Sequence, residues 1–305
     1  MERERWSELV AAIRAVDARF VEDKRVEHST ATVVMVHAFA ALGDRPVVWA
    51  CRRDSWVGSK RPPTLPDQST MSRRIRTEAF ARFQRLVGRR LNGVFLGACL
   101  GRPDRPPALV RIADGKPLEV PGHSTDRDAA WGRGVGGTRR GYKLHAIWSD
   151  LPMPDAFTIT PLNVCEKRMC RRLLKRLPPD AAGYLLADAL YDKSSLHDEC
   201  VYHRHQLICP RIKPGAGLGH GYQSPHRLRA MEMLEPPPHA GAFGQSLYAG
   251  RTAIERAFGH AVSFGGGLAA LPAWVRRPWR VRPWVTAKLL INAARIIVRR
   301  RVTAA

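Results

Sequence analysis

The chain has 305 residues, 45% of them hydrophobic, enough to bury an enzymatic core and, at the usual domain size, to form about two domains. Its 50 basic residues against 27 acidic ones give a formal charge of +23, well beyond what solubility requires, so a polyanion is the expected partner and nucleic acid the first choice. No run of about 18 apolar residues occurs, and Met1-Glu-Arg-Glu-Arg5 has the form of neither a signal nor a transit peptide, which argues against a membrane and for an intracellular protein.

Residues 1–100 read as helical. Trp6, Leu9, Val10, Ile13, Val16 and Phe20 recur at helical spacing, and a second apolar stretch runs from Thr32 to Leu42. Between Arg45 and Arg90 twelve basic residues face three acidic ones, around a break at Arg61-Pro-Pro-Thr-Leu-Pro66. Asp67-Gln-Ser-Thr70 offers caps for a short helix carrying Arg73, Arg74 and Arg76, and a longer helix with Phe80, Phe83, Leu86 and Val87 follows. Over 45–90 this pattern suits a helix-turn-helix-like DNA reader, and equally an ordinary helical bundle with solvated arginines. Gly101–Pro107 reads as a linker and marks a domain boundary.

Beyond it the pattern becomes strand-like. Ala108–Ala113 is a short apolar run ending at Asp114-Gly115, and a Gly-rich loop spans Gly132–Gly141. Strands follow at Tyr142–Trp148 and Ala156–Thr160, then a helix capped by Asn163 and running through Leu177. A fourth strand, Gly183–Ala187, ends at Asp188; a helix over Ser195–His205 leads to a fifth strand, Gln206–Cys209. Three strands followed by alternating helices and strands predict a mixed five-stranded sheet covered by helices, in the α/β class. Lys213–Gln245 reads as a long loop, Tyr248–Val262 as a helix, and Val285–Val298 as an amphipathic closing helix. The predicted divisions are a helical domain over 1–100, a catalytic domain over 108–271 and a basic tail over 272–305.

The six cysteines are scattered and suggest no disulfide framework. Cys200, His203, His205 and Cys209 crowd together in sequence, but a helix leading into a strand does not give zinc spacing.

Only fifteen acids lie after residue 110. Asp114 and Asp188 directly follow the first and fourth apolar strands, where α/β proteins tend to build sites; if those strands are neighbours, their ends meet. Glu255 lies on the later helix, with Arg251 one turn before it and Arg256 beside it. Taken singly, each acid also reads as a turn former or a helix-surface partner. The ordered trio in a basic chain suggests oxygen ligation of divalent cations for phosphodiester chemistry.

The motifs Asp114-Gly-Lys-Pro-Leu118, Gly141-Tyr-Lys-Leu-His145, Leu186-Ala-Asp-Ala-Leu-Tyr-Asp192 and Tyr248–Phe258 resemble those of the DDE transposases of bacterial insertion sequences, in family order. The resemblance spans about residues 65–300. It implies an RNase H-like catalytic domain in which Asp114, Asp188 and Glu255 hold two divalent ions, Mg2+ or Mn2+. It implies binding of double-stranded DNA at terminal inverted repeats and at a target, metal-dependent cleavage and strand transfer, work as a homodimer or larger assembly, and a place at the nucleoid in the bacterial cytoplasm.

The family's Tyr-x2-Arg-x3-Glu-x6-Lys signature maps onto Tyr248, Arg251 and Glu255, but position 262 is Val, followed by Phe264-Gly-Gly-Gly267. His260, Arg276 and Arg277 are candidates for the missing phosphate contact. Only 66 residues separate Asp188 from Glu255, the compact form of the family. Lys143 and His145 alternate onto one face of the second strand and read either as neighbours of the active site or as a solvated face. The tail carries nine basic residues after Leu271 and no acid, with Trp274, Trp279 and Trp284 interleaved. Arg276, Arg277, Arg280 and Arg282 there are candidate DNA contacts, in a tail expected to pack on the catalytic domain. Two other functions fit these residues: a catalytically inactive DNA-binding repressor derived from a transposase, and an RNase H-like nuclease without strand transfer.

Overall fold

The computed structural model describes residues 2–22, 25–58, 60–99, 101, 108–134, 136–215, 217–236, 241–262, 267–268 and 270–304. The chain divides into two compact units: Met1–Arg105 with Glu119–Ala129 and His260–Ala305, and Pro106–Leu118 with Ala130–Gly259. All of the expected linker after Gly101 lies outside the described residues.

In chain order, α1 (Glu2–Asp17), α2 (Thr30–Leu42), α3 (Val47–Ala50), α4 (Gln68–Arg74) and α5 (Glu78–Val94) come first. Then follow β1 (Val110–Glu119), β2 (Ala130–Gly134), β3 (Gly137–Trp148), β4 (Ala156–Pro161), α6 (Glu166–Leu174), β5 (Gly183–Leu186) and α7 (Ser194–Tyr202). The chain closes with β6 (His205–Ile208), α8 (Pro225–Leu234), α9 (Phe243–Ala249), α10 (Thr252–Val262) and α11 (Pro278–Ala304).

The first unit is a helical bundle around α2, which is buried on all sides from Val33 to Ala41, as a helix apolar all round must be. Phe39 stacks on Trp56 at 3.9 Å and on Trp49 at 5.1 Å, and Trp6 of α1 closes on it at 5.3 Å. The entry to α4 forms as expected, with Thr70 N donating to Asp67 Oδ1 at 2.6 Å. The tail joins this bundle, where the sequence suggested it would lie on the catalytic domain. α11 begins seven residues earlier than expected, buries Val281, Trp284, Val285, Ile291 and Ile297, and packs on α1, α2 and α5. Its buried residues fall on several sides, so a bundle satisfies it and a single flat face does not.

The second unit is built on a mixed sheet in the order β2-β3-β1-β5-β6, with β4 also pairing β3. β2 pairs Gly137–Gly141 and β4 pairs Tyr142–Ile147, so these two strands follow one another along the long β3. The expected five strands are all present in an arrangement consistent with an RNase H-like fold behind an all-helical region. The sixth, β2, lies where the sequence suggested a Gly-rich loop: five glycines hid a hairpin in which Ala130–Gly134 pairs regularly with Gly137–Gly141.

β1 and β5 run parallel, pairing Val110 with Tyr184 and Ile112 with Leu186. Gly183 starts that pairing at φ +127, with its Cβ position 2.1 Å from Leu109 O, so no side chain fits there. Gly183→Ala is expected to destabilise the unit by roughly 3 kcal/mol or more, through strain plus the lost strand start. Chemical denaturation of the two proteins measures this.

Other helices also differ from the sequence reading. α6 starts at Glu166 and no side chain caps it, so Asn163 lies before the helix. α8 interrupts the expected loop; its signal is Ser224-Pro225, a serine accepting from His226 N and Arg227 N with proline in the first turn. The expected Tyr248–Val262 helix is broken at Gly250 and Arg251 into the end of α9 and all of α10.

Candidate active site

The parallel register brings the two aspartates together. Ile112 faces Leu186, and two residues further along each chain stand Asp114 and Asp188. Asp114 lies inside β1, which continues to Glu119, where the sequence suggested a strand end; its Oδ1 accepts from Gly115 N at 2.7 Å. Asp188 caps the short turn Ala189–Tyr191, accepting from Leu190 N at 2.9 Å. A third acid joins them. Glu166, the first residue of α6, offers a carboxylate oxygen that, with one each from Asp114 and Asp188, forms a group within 4.8 Å of one another.

Gly115 makes this approach possible. A Cβ there would stand 2.9 Å from the Glu166 carboxylate and 3.0 Å from Lys143 Cδ. Gly115→Ala is therefore expected to displace Glu166 and weaken divalent-ion binding by about tenfold or more with the fold retained, as read by a Mn2+ titration alongside a thermal melt.

The electrostatics suit a cation site. Burial pushes the Asp114 carboxyl up to about 6, with repulsion from Glu166 and Asp188 adding to it and the Gly115 N–H working against it. Burial and then Glu166 raise Asp188 as well, while Arg251 and Lys143 pull it down. A closely spaced, oxygen-only donor set in which both aspartates resist ionisation fits a hard divalent ion such as Mg2+.

Lys143 and His145 are both buried, so the solvated-face reading of this strand fails. Lys143 Nζ donates to Glu166 Oε1 at 2.6 Å, and His145 Nε2 meets Thr160 Oγ1 at 2.9 Å. Burial, with Lys143 nearby, pushes His145 down to about 4, so the ring is neutral. Burial raises Tyr248, while Arg251 beside it works the other way.

Glu255 stands apart from the three-acid group. Arg251 Nη2 donates to it at 2.8 Å, its side chain is 57% exposed, and Arg251 also faces Asp114 and Asp188. α10, which carries Glu255, is anchored by buried Ile254 and by Phe258 against Trp148 at 5.7 Å. Arg256 is exposed on the same helix.

Glu166 was not singled out from the sequence, although it is the one acid between Asp155 and Asp180 and opens the helix after β4. The Cys200, His203, His205 and Cys209 set forms no metal-sized group among the described residues. Cys209 instead lies near Asp192 and His197, but Arg227 grips both Asp192 oxygens, at 2.5 and 2.8 Å, and serves as that carboxylate's counter-ion.

Among the expected DNA contacts, Arg74 points inward, donating to Glu22 Oε1 at 2.6 Å and to Thr30 Oγ1 at 3.0 Å. It thereby braces the start of α2. Arg73, Arg76, Arg280 and Arg282 are exposed, and Arg76 and Arg280 both lie against the Trp279 ring, at 3.8 and 4.5 Å. Arg276 donates to Thr125 Oγ1 at 2.6 Å, and Arg277 to Asp128 Oδ2 at 3.2 Å. The side chains of His260 and Val262, and residues 263–266, lie outside the described residues, so only Gly267 of the glycine run is described.

A family model for the transposase DDE domain matches residues 105–269, a span that holds Asp114, Glu166, Asp188 and Glu255. The chain belongs to this family. As a DDE transposase it is a phosphoryltransferase and nuclease, and its domain implies DNA binding, DNA cleavage and transposition. Such enzymes generally use divalent metals, and the acids Asp114, Glu166 and Asp188 are in place for them. No curated protein matches the chain. Among the described residues no helix is long and apolar enough to cross a membrane.

Proposed function

We propose that this transposase cuts DNA at the terminal inverted repeats of a mobile element and joins the freed ends to a target duplex. The observation that carries the reading is the meeting of Asp114 and Asp188 with Glu166, beside two neighbouring strands of a strongly basic chain. Asp114, Asp188 and Glu255 would hold two divalent ions, Mg2+ or Mn2+, with Glu166 as a fourth carboxylate. When bound, the ions supply charge neutralisation at the attacking and leaving oxygens of an in-line displacement.

The chain's own residues orient and balance charge. Strand β1 fixes Asp114, and the turn after β5 fixes Asp188. Lys143 donates to Glu166 and Arg251 to Glu255, which balances the charge of the two glutamates. In the first step water forms a bond to phosphorus and the 3′-oxygen leaves, taking a proton to become a 3′-hydroxyl. In the second step the oxygen of that hydroxyl bonds to a phosphorus of the target strand and gives its proton to water, while the target's own 3′-oxygen leaves and takes up a proton.

Arg73, Arg76, Arg256, Arg276, Arg277, Arg280 and Arg282 are the proposed contacts to DNA phosphates; Arg74, engaged by Glu22, is left out of that set. The working form is a homodimer or larger assembly on paired ends. The test uses a supercoiled plasmid carrying the gene with its natural flanking DNA. The expected products are strands cut at inverted repeats and joined to a second plasmid. Cutting without joining would make the protein a nuclease, and binding without cutting a repressor; either result overturns the reading.

A further inference from the structure

The hairpin formed by β2 and the first half of β3 has no role in the chemistry above. Its pairing sets Trp131 opposite Arg140 and Arg133 opposite Thr138, and strand alternation puts these four side chains on one face. The other face is closed at Gly132, where a Cβ would meet the Leu162 backbone at 2.9 Å. Trp131 is 65% exposed, a large apolar surface to leave in water on a strand that folds tightly on its other side. Arg133 and Arg139 are exposed as well, and no acid occurs between Asp128 and Asp150. The hairpin is also a direct extension of the strand that carries Lys143 to the acids. At about 3.3 Å per residue, Arg140 stands roughly 10 Å along the strand from Lys143, about three base-pair rises of duplex DNA.

We propose that this hairpin is a DNA-binding arm. Arg133 and Arg140 take backbone phosphates of the duplex a few base pairs from the reacting one, and Trp131 lays its ring against the sugar-base surface between them. An aromatic ring beside basic side chains, on a hairpin without acids, suits a nucleic-acid surface, since phosphates are drawn to the positive charge and the ring is removed from water. The arm rests on the proposed DNA-cutting function and adds to it a grip tied rigidly to the catalytic strand.

The test measures binding of the full-length protein to a fluorescent 40-base-pair duplex of arbitrary sequence across a salt series. Arg133→Gln/Arg140→Gln should weaken binding about tenfold near 0.15 M salt and flatten the slope of log K against log salt by about 2. Trp131→Ala should weaken binding with the slope unchanged, because its contact carries no charge. Lys175→Gln/Arg176→Gln, an equal charge loss at the end of α6 away from Glu166, is the control and should leave the slope as it is. Unchanged melting temperature and Mn2+ binding in the arm variants would exclude a folding defect. Equal slopes in wild type, arm variant and control would overturn the proposal. Absence of cleavage by the wild type alongside the expected slope changes would instead overturn the function and leave the arm standing.

Discussion

Asn in place of Asp188 or Asp114 is expected to lower metal-dependent cleavage by roughly 10³-fold, about 4 kcal/mol of transition-state stabilisation, with DNA affinity changed less than about twofold. Each substitution removes one negative oxygen from a donor set whose oxygens lie within 4.8 Å of one another. The Asp114 variant carries a second signature. Its carboxyl titrates at about 6 in the folded chain against 3.8 ordinarily, so the folded state holds the proton more tightly than the unfolded one. The stability this supplies is present below pH 4 and lost as pH rises through 6; above that, the buried charge costs about 3 kcal/mol at most. In EDTA at pH 8, Asp114→Asn should therefore melt higher than the wild type by roughly 4–8 °C, and the gain should vanish at pH 4. An inactive variant with no such gain would mean that Asp114 is not held as described.

The second large effect concerns the glutamates. Glu255→Gln is expected to remove cleavage as fully as the aspartate changes, whereas Glu166→Gln should lower it about tenfold and raise the Mg2+ concentration needed for half-maximal rate. The reasoning follows their counter-ions. Glu166 is mostly buried and tied to Lys143, so it shapes the field around the aspartates. Glu255 is exposed and tied to Arg251, a contact that an arriving cation near Asp188 would disfavour by repelling the guanidinium. Release of Arg251 would leave Glu255 able to hold an ion. The reverse ranking, with Glu166→Gln inactive and Glu255→Gln near wild type, would reassign the third metal-holding acid to Glu166.

Much of the centre was legible from residues because it depends on backbone pattern. Asp114 and Asp188 each follow an apolar run, and β1 and β5 do become parallel neighbours, which brings the two acids together although Asp114 lies inside β1 and not at its end. Glu166 was not legible by the same route. Its place depends on a close approach at Gly115, which concerns an absent side chain, and its helix start was credited to Asn163. The hairpin was hidden for a related reason: glycines read as loop, yet here Gly132 is small because Leu162 lies against it. α8 went unseen in a stretch rich in Gly, Pro and His, although Ser224-Pro225 announces it. The arginines show the limit of charge counting most clearly. Arg73 and Arg74 are adjacent and look alike in sequence, but Arg74 is spent on Glu22 and only Arg73 faces solvent.

The most direct measurement is the Mg2+ dependence of cleavage by the wild-type protein on a supercoiled plasmid bearing the gene's flanking DNA. Cleavage that rises with Mg2+, leaves 3′-hydroxyl ends and stops in EDTA is the predicted result. Cleavage that persists in EDTA, or that Asp114→Asn/Asp188→Asn carries out at the wild-type rate, would contradict a metal centre at these acids.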